Sequence, residues 1–423
     1  MERIKRLIKE SGAEAFVITQ TKEKQTEVFL IRDQIDLTRG VSVVETTVQI
    51  YRDFEEEGRK YRGSALMHIG AMDSDEEIRR KAEKAYMAAR YVKNPWYPLS
   101  DNKERPKDIA PEPLRKTFQE RFGEVLEALY PPFEGASVNS CELFAKEGVK
   151  RLVSSTGTDI SWPLFRLDFE LVTEAEGQDE GVEIFNEYAL GTLDIEKIRD
   201  IARRQLENTR HRAEAKKAPA MEKARIVLSG NDVETLFGFF IHQATDKLVY
   251  QQISRGKKGE SFIRKPLDIT IEPLAFSADR APVDREGSVC EAFCMYKEGV
   301  LEKFLCGCQY GSYLGEKVTG YQNTFTVSPG ETSREELLGD KYLELLTFSD
   351  FQMDAATGDF GGEFRLARYV HDGVTEYLTG GAISGNLFEL KEDMMWSREM
   401  LERPRSLTPE IVVFPGMKVT GEA

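Results

Sequence analysis

Residues 231–242 read Asn-Asp-Val-Glu-Thr-Leu-Phe-Gly-Phe-Phe-Ile-His, and this stretch separates the two kinds of structure that the sequence predicts. It has the apolar content and the length of a helix, and Asn231 followed by Glu234 is a capping-box pattern at its start. Beyond it, short alternating runs are separated by glycines, which is typical of strands. The second half is therefore predicted to be a β-rich sandwich or barrel.

The first half mixes helical and strand-like patterns. Residues 2–11 have apolar side chains at helical spacing, and residues 28–51 alternate with a period close to two. Ser74 and Glu77 form a second capping-box pattern ahead of another helix. A proline-rich connection is predicted over residues 94–113. The residues predicted for the core of the strands are Val41, Val43, Val48 and Ile50.

A long, charged helix is predicted over residues 194–217, and Ala218-Pro219-Ala220 ends it. The chain has 423 residues, which is enough for two domains. We place the boundary at this point. The prediction is an α+β protein with an N-terminal α+β domain of antiparallel hairpins and helices over residues 1–218. Residues 219–423 form the C-terminal β-rich domain.

The bulk composition narrows the class of protein. A formal net charge of −15 repels phosphate backbones, so direct nucleic-acid binding is not expected. The first residues lack the apolar segment of a secretory signal, and no stretch reaches the roughly 18–20 apolar residues that a membrane span needs. An odd, low number of cysteines favours reduced thiols and a cytoplasmic location. They are Cys141, Cys290, Cys294, Cys306 and Cys308.

An ordered set of short motifs in the second half resembles the TldD/PmbA family, described as modulators of DNA gyrase and as subunits of a cytoplasmic peptidase. The first half is also similar, since Gly12-Ala13-Glu14-Ala15 precedes the predicted hairpins. The resemblance implies an α+β N-terminal domain and a β-rich C-terminal domain. The motifs are Leu228-Ser229-Gly230, Asp284-Arg285-Glu286-Gly287, Lys297-Glu298-Gly299-Val300-Leu301, Thr319-Gly320, Thr357-Gly358-Asp359-Phe360 and Gly416-Met417-Lys418-Val419-Thr420-Gly421.

The resemblance also bears on metal chemistry. The TldD-like branch of the family carries His-Glu-x-x-x-His, whose histidines bind zinc and whose glutamate deprotonates the attacking water. Here Phe237 stands at the first histidine, Gly238 at the glutamate, and only His242 remains. No cysteine follows Cys308, and His371 is the only late imidazole. The chain is therefore similar to the PmbA-like branch, with no catalytic or metal-binding residue of its own. Zinc is implied only in a partner subunit.

Two places are candidates for peptide binding. His242 either lines a peptide cleft without metal or simply ends a helix, where the dipole favours its cation. Residues 284–287 either form a solvated turn with an ion pair or bind substrate, since the family resemblance places this segment near the substrate cavity. Arg285 departs from the family, which usually has an acidic residue there. The predicted peptide-binding residues are His242, Arg285, Glu286 and Gly287.

Four clustered cysteines pose a second metal question. A two-residue turn at Glu298-Gly299 sets Lys297 opposite Val300, and the same register then predicts Cys294 opposite Lys303 and Cys290 opposite Gly307. Cys290 and Cys294 would then face away from the other two thiols, at Cys306 and Cys308, which excludes a four-ligand site. A three-residue turn would reverse this parity. Ordinary buried thiols are the favoured interpretation.

The function that these observations favour is a non-metal, PmbA-like subunit of a TldD/PmbA-type cytoplasmic metallopeptidase assembly. A TldD-like subunit would supply the metal, and this chain would hold an unfolded peptide, added as a strand to a sheet edge. Peptidase activity is then expected only with that partner. The alternatives are a stand-alone peptide-binding or scaffold protein, such as a homodimer, and a divergent hydrolase with another site.

Overall fold

The computed structural model describes residues 1–13, 15–101, 117–177, 181–273, 277–322 and 324–421; most of the predicted proline-rich connection lies outside them. The helices are α1 (Glu2–Glu10), α2 (Asp75–Ala89), α3 (Phe122–Leu129), α4 (Ile195–Ala213), α5 (Asp232–Gln243), α6 (Asp246–Tyr250), α7 (Cys308–Leu314), α8 (Arg334–Leu338) and α9 (Leu387–Leu390). None of the helices in these ranges is long and apolar enough to cross a membrane.

The strands are β1 (Ala15–Ile31), β2 (Gln34–Glu56), β3 (Arg59–Ile69), β4 (Ser137–Ser154), β5 (Asp159–Glu176), β6 (Gly181–Leu190), β7 (Lys216–Lys217), β8 (Met221–Leu228), β9 (Ile269–Ile271), β10 (Phe293–Lys297), β11 (Val300–Leu301), β12 (Phe325–Val327), β13 (Tyr342–Met353), β14 (Asp359–His371), β15 (Val374–Thr379), β16 (Gly381–Asn386), β17 (Met395–Trp396), β18 (Met400–Glu402), β19 (Ser406–Pro409) and β20 (Val412–Thr420).

The first six strands form an antiparallel sheet in the order β3-β2-β1-β4-β5-β6. Helices α1 and α2 pack on one of its faces and share a core with Val48 and Ile50, as predicted. The prediction for Val41 was wrong, because its side chain is 44% exposed. The outer part of β2, residues 34–45, is exposed or half-buried on both faces, whereas Val28 and Leu30 of the neighbouring β1 are buried in a second core with α3 and α4.

The second half is built from two sheets. Strands β13, β8, β20, β16 and β14 are joined in a closed ring, because β13 also pairs with β14. A second sheet has the order β11-β10-β9-β12-β19-β18. Helix α5 lies in the common core, where Phe237, Phe239 and Phe240 are fully buried. The predicted α+β class with a barrel-like second half is confirmed.

The hairpin of β10 and β11 tests the predicted register of the cysteines. Lys297 lies opposite Val300, so the two-residue turn is confirmed. The pairing then ends, because the N–H groups of Glu302 and Lys303 both reach the carbonyl of Met295. The predicted pairs further along the hairpin do not form.

Cys294 lies opposite Thr270 of β9 instead of Lys303, so that prediction was wrong. Cys290 precedes β10 and Gly307 follows β11, so they have no shared ladder either. All five cysteines are free thiols. Across the described ranges, no group of three or more His, Cys, Asp and Glu side chains is arranged to hold a metal ion.

The two capping-box patterns have different outcomes. At α2 the Ser74 hydroxyl accepts from the Glu77 N–H at 3.2 Å, and the Glu77 carboxylate accepts from the Ser74 N–H at 2.8 Å. At α5 the prediction was wrong. Asn231 already has helical dihedral angles and makes no side-chain cap, whereas a capping residue needs an extended backbone.

The two halves meet on the uncovered face of the first sheet. Tyr51, Leu152 and Trp162 of that face share a small core with Val283 of the second half. The predicted helix 194–217 ends early, at Ala213, and β7 pairs with β15. The sheet of the second half therefore begins at residue 216.

Candidate functional site

The C-terminal end of α5 borders a small pocket of about 50 Å³. Gly238 and His242 line it together because residues four apart lie on the same helix face. The space beside Gly238 is open, with no atom within 4 Å of where a Cβ would stand. Phe237 points elsewhere, into the core, against Phe240 and Trp396.

His242 has an exposed imidazole that makes no hydrogen bond or ion pair with the described part of the chain. Desolvation by the pocket walls and the nearby Arg405 guanidinium lower the pKa of His242. This direction is opposite to the one expected from the helix dipole alone. The imidazole is therefore neutral at neutral pH and can accept a hydrogen bond.

Arg405 is held in this pocket by a buried carboxylate of α5. The Glu234 side chain is nearly buried and accepts from the Arg405 Nε at 3.1 Å and the Arg405 N–H at 2.9 Å. It also accepts from the Ser406 hydroxyl at 2.7 Å. The start of α5 thus fixes a cation beside the histidine at its other end.

A larger cavity of about 650 Å³ adjoins this pocket, and Tyr321 lines both. Its walls come from both halves of the molecule. Lys150 projects from β4 of the first sheet, while Arg285, Glu286 and Asp246 belong to the second half. Such a cleft between two layers is a common place for a ligand to bind.

Residues 284–287 form the turn that closes one side of the cavity. Asp284 is buried, and its carboxylate accepts from the backbone N–H groups of Glu286, Ser288 and Tyr321 at 2.9 to 3.0 Å. Burial raises the pKa of Asp284. The predicted solvated turn with an ion pair was wrong, because this carboxylate organises the backbone from inside.

Two more carboxylates hold the start of α7. Asp246 accepts from the Gly307 N–H at 2.8 Å, and Glu286 accepts from the Cys308 N–H at 3.0 Å. Burial raises the pKa of Asp246 to about 6. Burial and the charge of Asp284 raise the pKa of Glu286. These acids satisfy backbone donors that a helix start leaves unpaired.

The cations that line the cavity, unlike these carboxylates, have no structural partner of this kind in the described part of the chain. The side chains of Lys150, Lys247 and Arg285 form no ion pair or hydrogen bond within the described ranges. Lys150 lies over the Trp162 ring, 5.8 Å from its centre. Burial and the charge of Arg285 lower the pKa of Lys150. The two cations are thus close enough to repel each other.

The four residues predicted to bind peptide fall in three places. His242 lines the small pocket, and Arg285 and Glu286 line the adjoining cavity. Gly287 lines neither; it has a φ of +82°, which favours glycine, and its carbonyl accepts from the Thr158 hydroxyl at 3.1 Å. Its observed contact joins the two halves.

The residues that sequence reasoning missed are Lys150, Asp246, Tyr321 and Arg405. Lys150 occupies an ordinary position of an alternating strand, which gives no signal. Thr245-Asp246 does read as a helix start, but this signal indicates a cap and says nothing about a cavity.

The architecture is a closed ring of strands that shares a core with α5, with a cavity between this half and a six-stranded antiparallel sheet. Residues 221–421 match the family model described as the PmbA/TldA metallopeptidase C-terminal domain. The second half of the chain is therefore a domain of the PmbA/TldD type.

Three solved structures are similar to this chain over almost its whole length. TldE from Thermococcus kodakarensis superposes with a TM-score of 0.79 at 16% identity, covering 99% of this chain and 100% of that one. A proposed modulator of DNA gyrase from Bacteroides thetaiotaomicron superposes with a TM-score of 0.82 at 16% identity, covering 100% of this chain and 98% of that one. A similar protein from Thermotoga maritima gives 0.78 at 17% identity, covering 99% of each chain. At these identities the likeness shows the fold.

One relative by sequence is an uncharacterized protein of Methanocaldococcus jannaschii. It is 22% identical over 282 residues, which is 63% of this chain. The match spans 65% of the length of that relative.

Proposed function

We propose that this chain is the peptide-holding, metal-free subunit of a TldD/PmbA-type metallopeptidase assembly. One observation carries the proposal. At the positions where the family resemblance expects a zinc-binding histidine and a glutamate, Phe237 is buried in the core and Gly238 has no side chain. His242 is then the one remaining member of the motif.

The charge beside His242 supports the same proposal. The Arg405 guanidinium lines the pocket with the imidazole, and Glu234 holds it there. A fixed positive charge repels a divalent cation and raises the cost of binding one. The imidazole can still accept a hydrogen bond from a peptide, while the guanidinium beside it opposes a metal ion at this position.

The cavity supports a role in holding substrate. It adjoins the His242 pocket, and a volume of about 650 Å³ is ample for several residues of an extended peptide. In the proposed assembly a TldD-like subunit supplies the zinc and the water-activating base. This chain contributes a wall of the substrate chamber, and the assembly cleaves unfolded peptides.

We further propose a cytoplasmic location, since five free thiols favour a reducing compartment. Two of the similar proteins are described as proposed modulators of DNA gyrase. We propose that this chain makes no direct contact with DNA, because its net charge of −15 repels the phosphate backbone.

The test is hydrolysis of an unstructured peptide by the purified chain, with and without a chelator, alone and mixed with a His-Glu-x-x-x-His member of the family from the same genome. We expect no cleavage and no stoichiometric zinc for the chain alone. The mixture should cleave faster than the metal-bearing protein by itself, and the chelator should abolish that cleavage.

The other outcomes are informative. Equal rates with and without this chain would favour a stand-alone peptide-binding or scaffold protein. Cleavage by the chain alone that survives the chelator but not His242→Ala would indicate a hydrolase with a different site. Stoichiometric zinc with cleavage by the chain alone would overturn the proposal.

A further inference from the structure

The cavity between the two halves is lined by carboxylates that have partners within the protein and by cations that form no ion pair in the described part of the chain. The chain carries 73 acidic and 58 basic residues, so acids outnumber potential partners. Even so, the three cations that line this cavity form no ion pair within the described part of the chain, although carboxylates line the same cavity. Lys247 and Arg285 are exposed and Lys150 is half-buried, so all three are open to a ligand in the cavity.

The carboxylates are already engaged. Asp246, Asp284 and Glu286 accept hydrogen bonds from backbone N–H groups, as described above. Asp279, the fourth acid in the lining, is ion-paired with Arg166 at 2.9 Å. These four acids are held by structural contacts, and none of them forms an ion pair with Lys150, Lys247 or Arg285 in the part of the chain that the structure describes.

Two of the cations approach each other from opposite halves. Lys150 stands on the uncovered face of β4, and Arg285 projects from the turn at residues 284–287. Each lowers the electrostatic cost of an anion placed between them. A guanidinium and an ammonium also offer donors that match the two oxygens of a carboxylate.

We infer that Lys150 and Arg285 form a site for a carboxylate group of the bound peptide. The inference rests on the proposed function, because it names what the cavity recognises in its substrate. A singly charged carboxylate fits better than a phosphate dianion, since the neighbouring Asp246, Asp284 and Glu286 repel the second charge. The carboxylate comes either from the C-terminus of the peptide or from an Asp or Glu side chain.

The experiment measures binding of fluorescein-labelled, unstructured peptides to the full chain by fluorescence anisotropy. Three peptides of the same core sequence are compared: one with a free C-terminal carboxylate, one amidated, and one amidated with a single internal Asp. The protein variants are Lys150→Gln and Arg285→Gln. The matched control is Lys24→Gln, an exposed lysine on the opposite face of the same sheet, which changes the net charge equally.

We expect each site variant to weaken binding of the carboxylate peptide roughly tenfold, the usual loss for one charge-assisted hydrogen bond. Amidation removes the partner of both cations, so it should weaken binding to the unmodified chain by more than either variant does, and it should have a smaller effect on each variant than on the unmodified chain. If the amidated peptide with the internal Asp binds as tightly as the peptide with a free C-terminus, the site accepts side-chain carboxylates. If it binds as weakly as the amidated peptide without Asp, the site is specific for the C-terminal carboxylate.

Two outcomes would overturn the inference while leaving the proposed function intact. One is equal binding of all three peptides to the unmodified chain. The other is a loss for Lys24→Gln as large as for Lys150→Gln, which would indicate a general charge effect. If no peptide binds to the unmodified chain or to its mixture with the metal-bearing relative, both the inference and the proposed function fail. Circular dichroism is used to check that Lys150→Gln is folded, and Arg285→Gln, at an exposed position, provides an independent variant.

Discussion

The starts of α2 and α5 carry the same sequence pattern and fold differently. At α2, Ser74 and Glu77 cap each other on the surface of the first sheet's helical layer. At α5, Asn231 makes no cap, and Glu234 bonds instead to Arg405 and Ser406, which lie about 170 residues further along the chain. A local motif therefore forms where its side chains have no better partner.

Burial explains the difference. Glu77 is exposed, so its nearest donors are those of its own helix. Glu234 is only 5% exposed, and a buried charge is stable only when several donors surround it. Arg405 and Ser406, where β19 begins, provide three such donors, and a local cap could not. The consequence reaches the candidate site, because the same contact fixes Arg405 beside His242.

The largest expected effect is that of Glu234→Gln. The amide nitrogen would face donors from Arg405 and Ser406, and Arg405 would lose its charged partner. Removing one partner of a buried ion pair typically destabilises a fold by several kcal/mol; because Arg405 is partly exposed, we expect about 3 kcal/mol. Urea unfolding measures the loss. A change no larger than that of Glu77→Gln would contradict the distinction between the two helix starts.

The start of α7 offers an intermediate case, in which buried carboxylates do cap a helix. Because burial raises the pKa of Asp246 to about 6, the folded protein binds a proton that the unfolded chain, with a pKa of roughly 3.9, releases. The stabilisation from this proton is therefore complete below pH 4 and is lost as the pH rises through 6. Asp246→Asn does not titrate.

We expect the free energy of unfolding of the original chain to fall by about 2 kcal/mol relative to Asp246→Asn between pH 4 and pH 7. Asp284 and Glu286 have pKa values raised by the same burial, and they titrate in both proteins. Urea unfolding at several pH values gives the difference. A constant difference across this range would show that Asp246 is ionised throughout.

The smallest effects test the caps themselves. Ser74→Ala removes the acceptor for the Glu77 N–H and is expected to cost about 1 kcal/mol, the usual value for a capping serine. Asn231→Ala is the matched control, and we expect a change within about 0.5 kcal/mol because its side chain makes no cap. Equal losses for the two variants in urea unfolding would mean that Asn231 does cap α5.

Much of the fold was predictable where the signal is local. Helical spacing in residues 2–11 predicted α1, and Glu298-Gly299 predicted the two-residue turn, which needs two residues with positive φ. The prediction for Val41 failed because seven positions separate it from Val48, so the alternation places the two side chains on opposite faces, and the outer part of β2 is exposed. The cysteine register failed because the hairpin stopped after Leu301.

The candidate site was predictable only in part. His242 and residues 284–287 could be singled out because they lie in segments of the sequence that carry the family resemblance. Lys150 and Arg405 have no such neighbours. They reach the cavity through the packing of the first sheet on the second half and through the buried carboxylate of Glu234.

By itself, the sequence determined the elements whose causes lie within a few residues: the helices, the alternating strands, the tight turn and the exposed cap of α2. It also determined that Phe237 and Gly238 stand where a metal motif would need other side chains. Only the tertiary structure decided which charges are buried, which donors they find, and which cations remain unpaired in the cavity. The reason is that electrostatic partners are chosen by distance in space, and burial makes a wrong or missing partner costly.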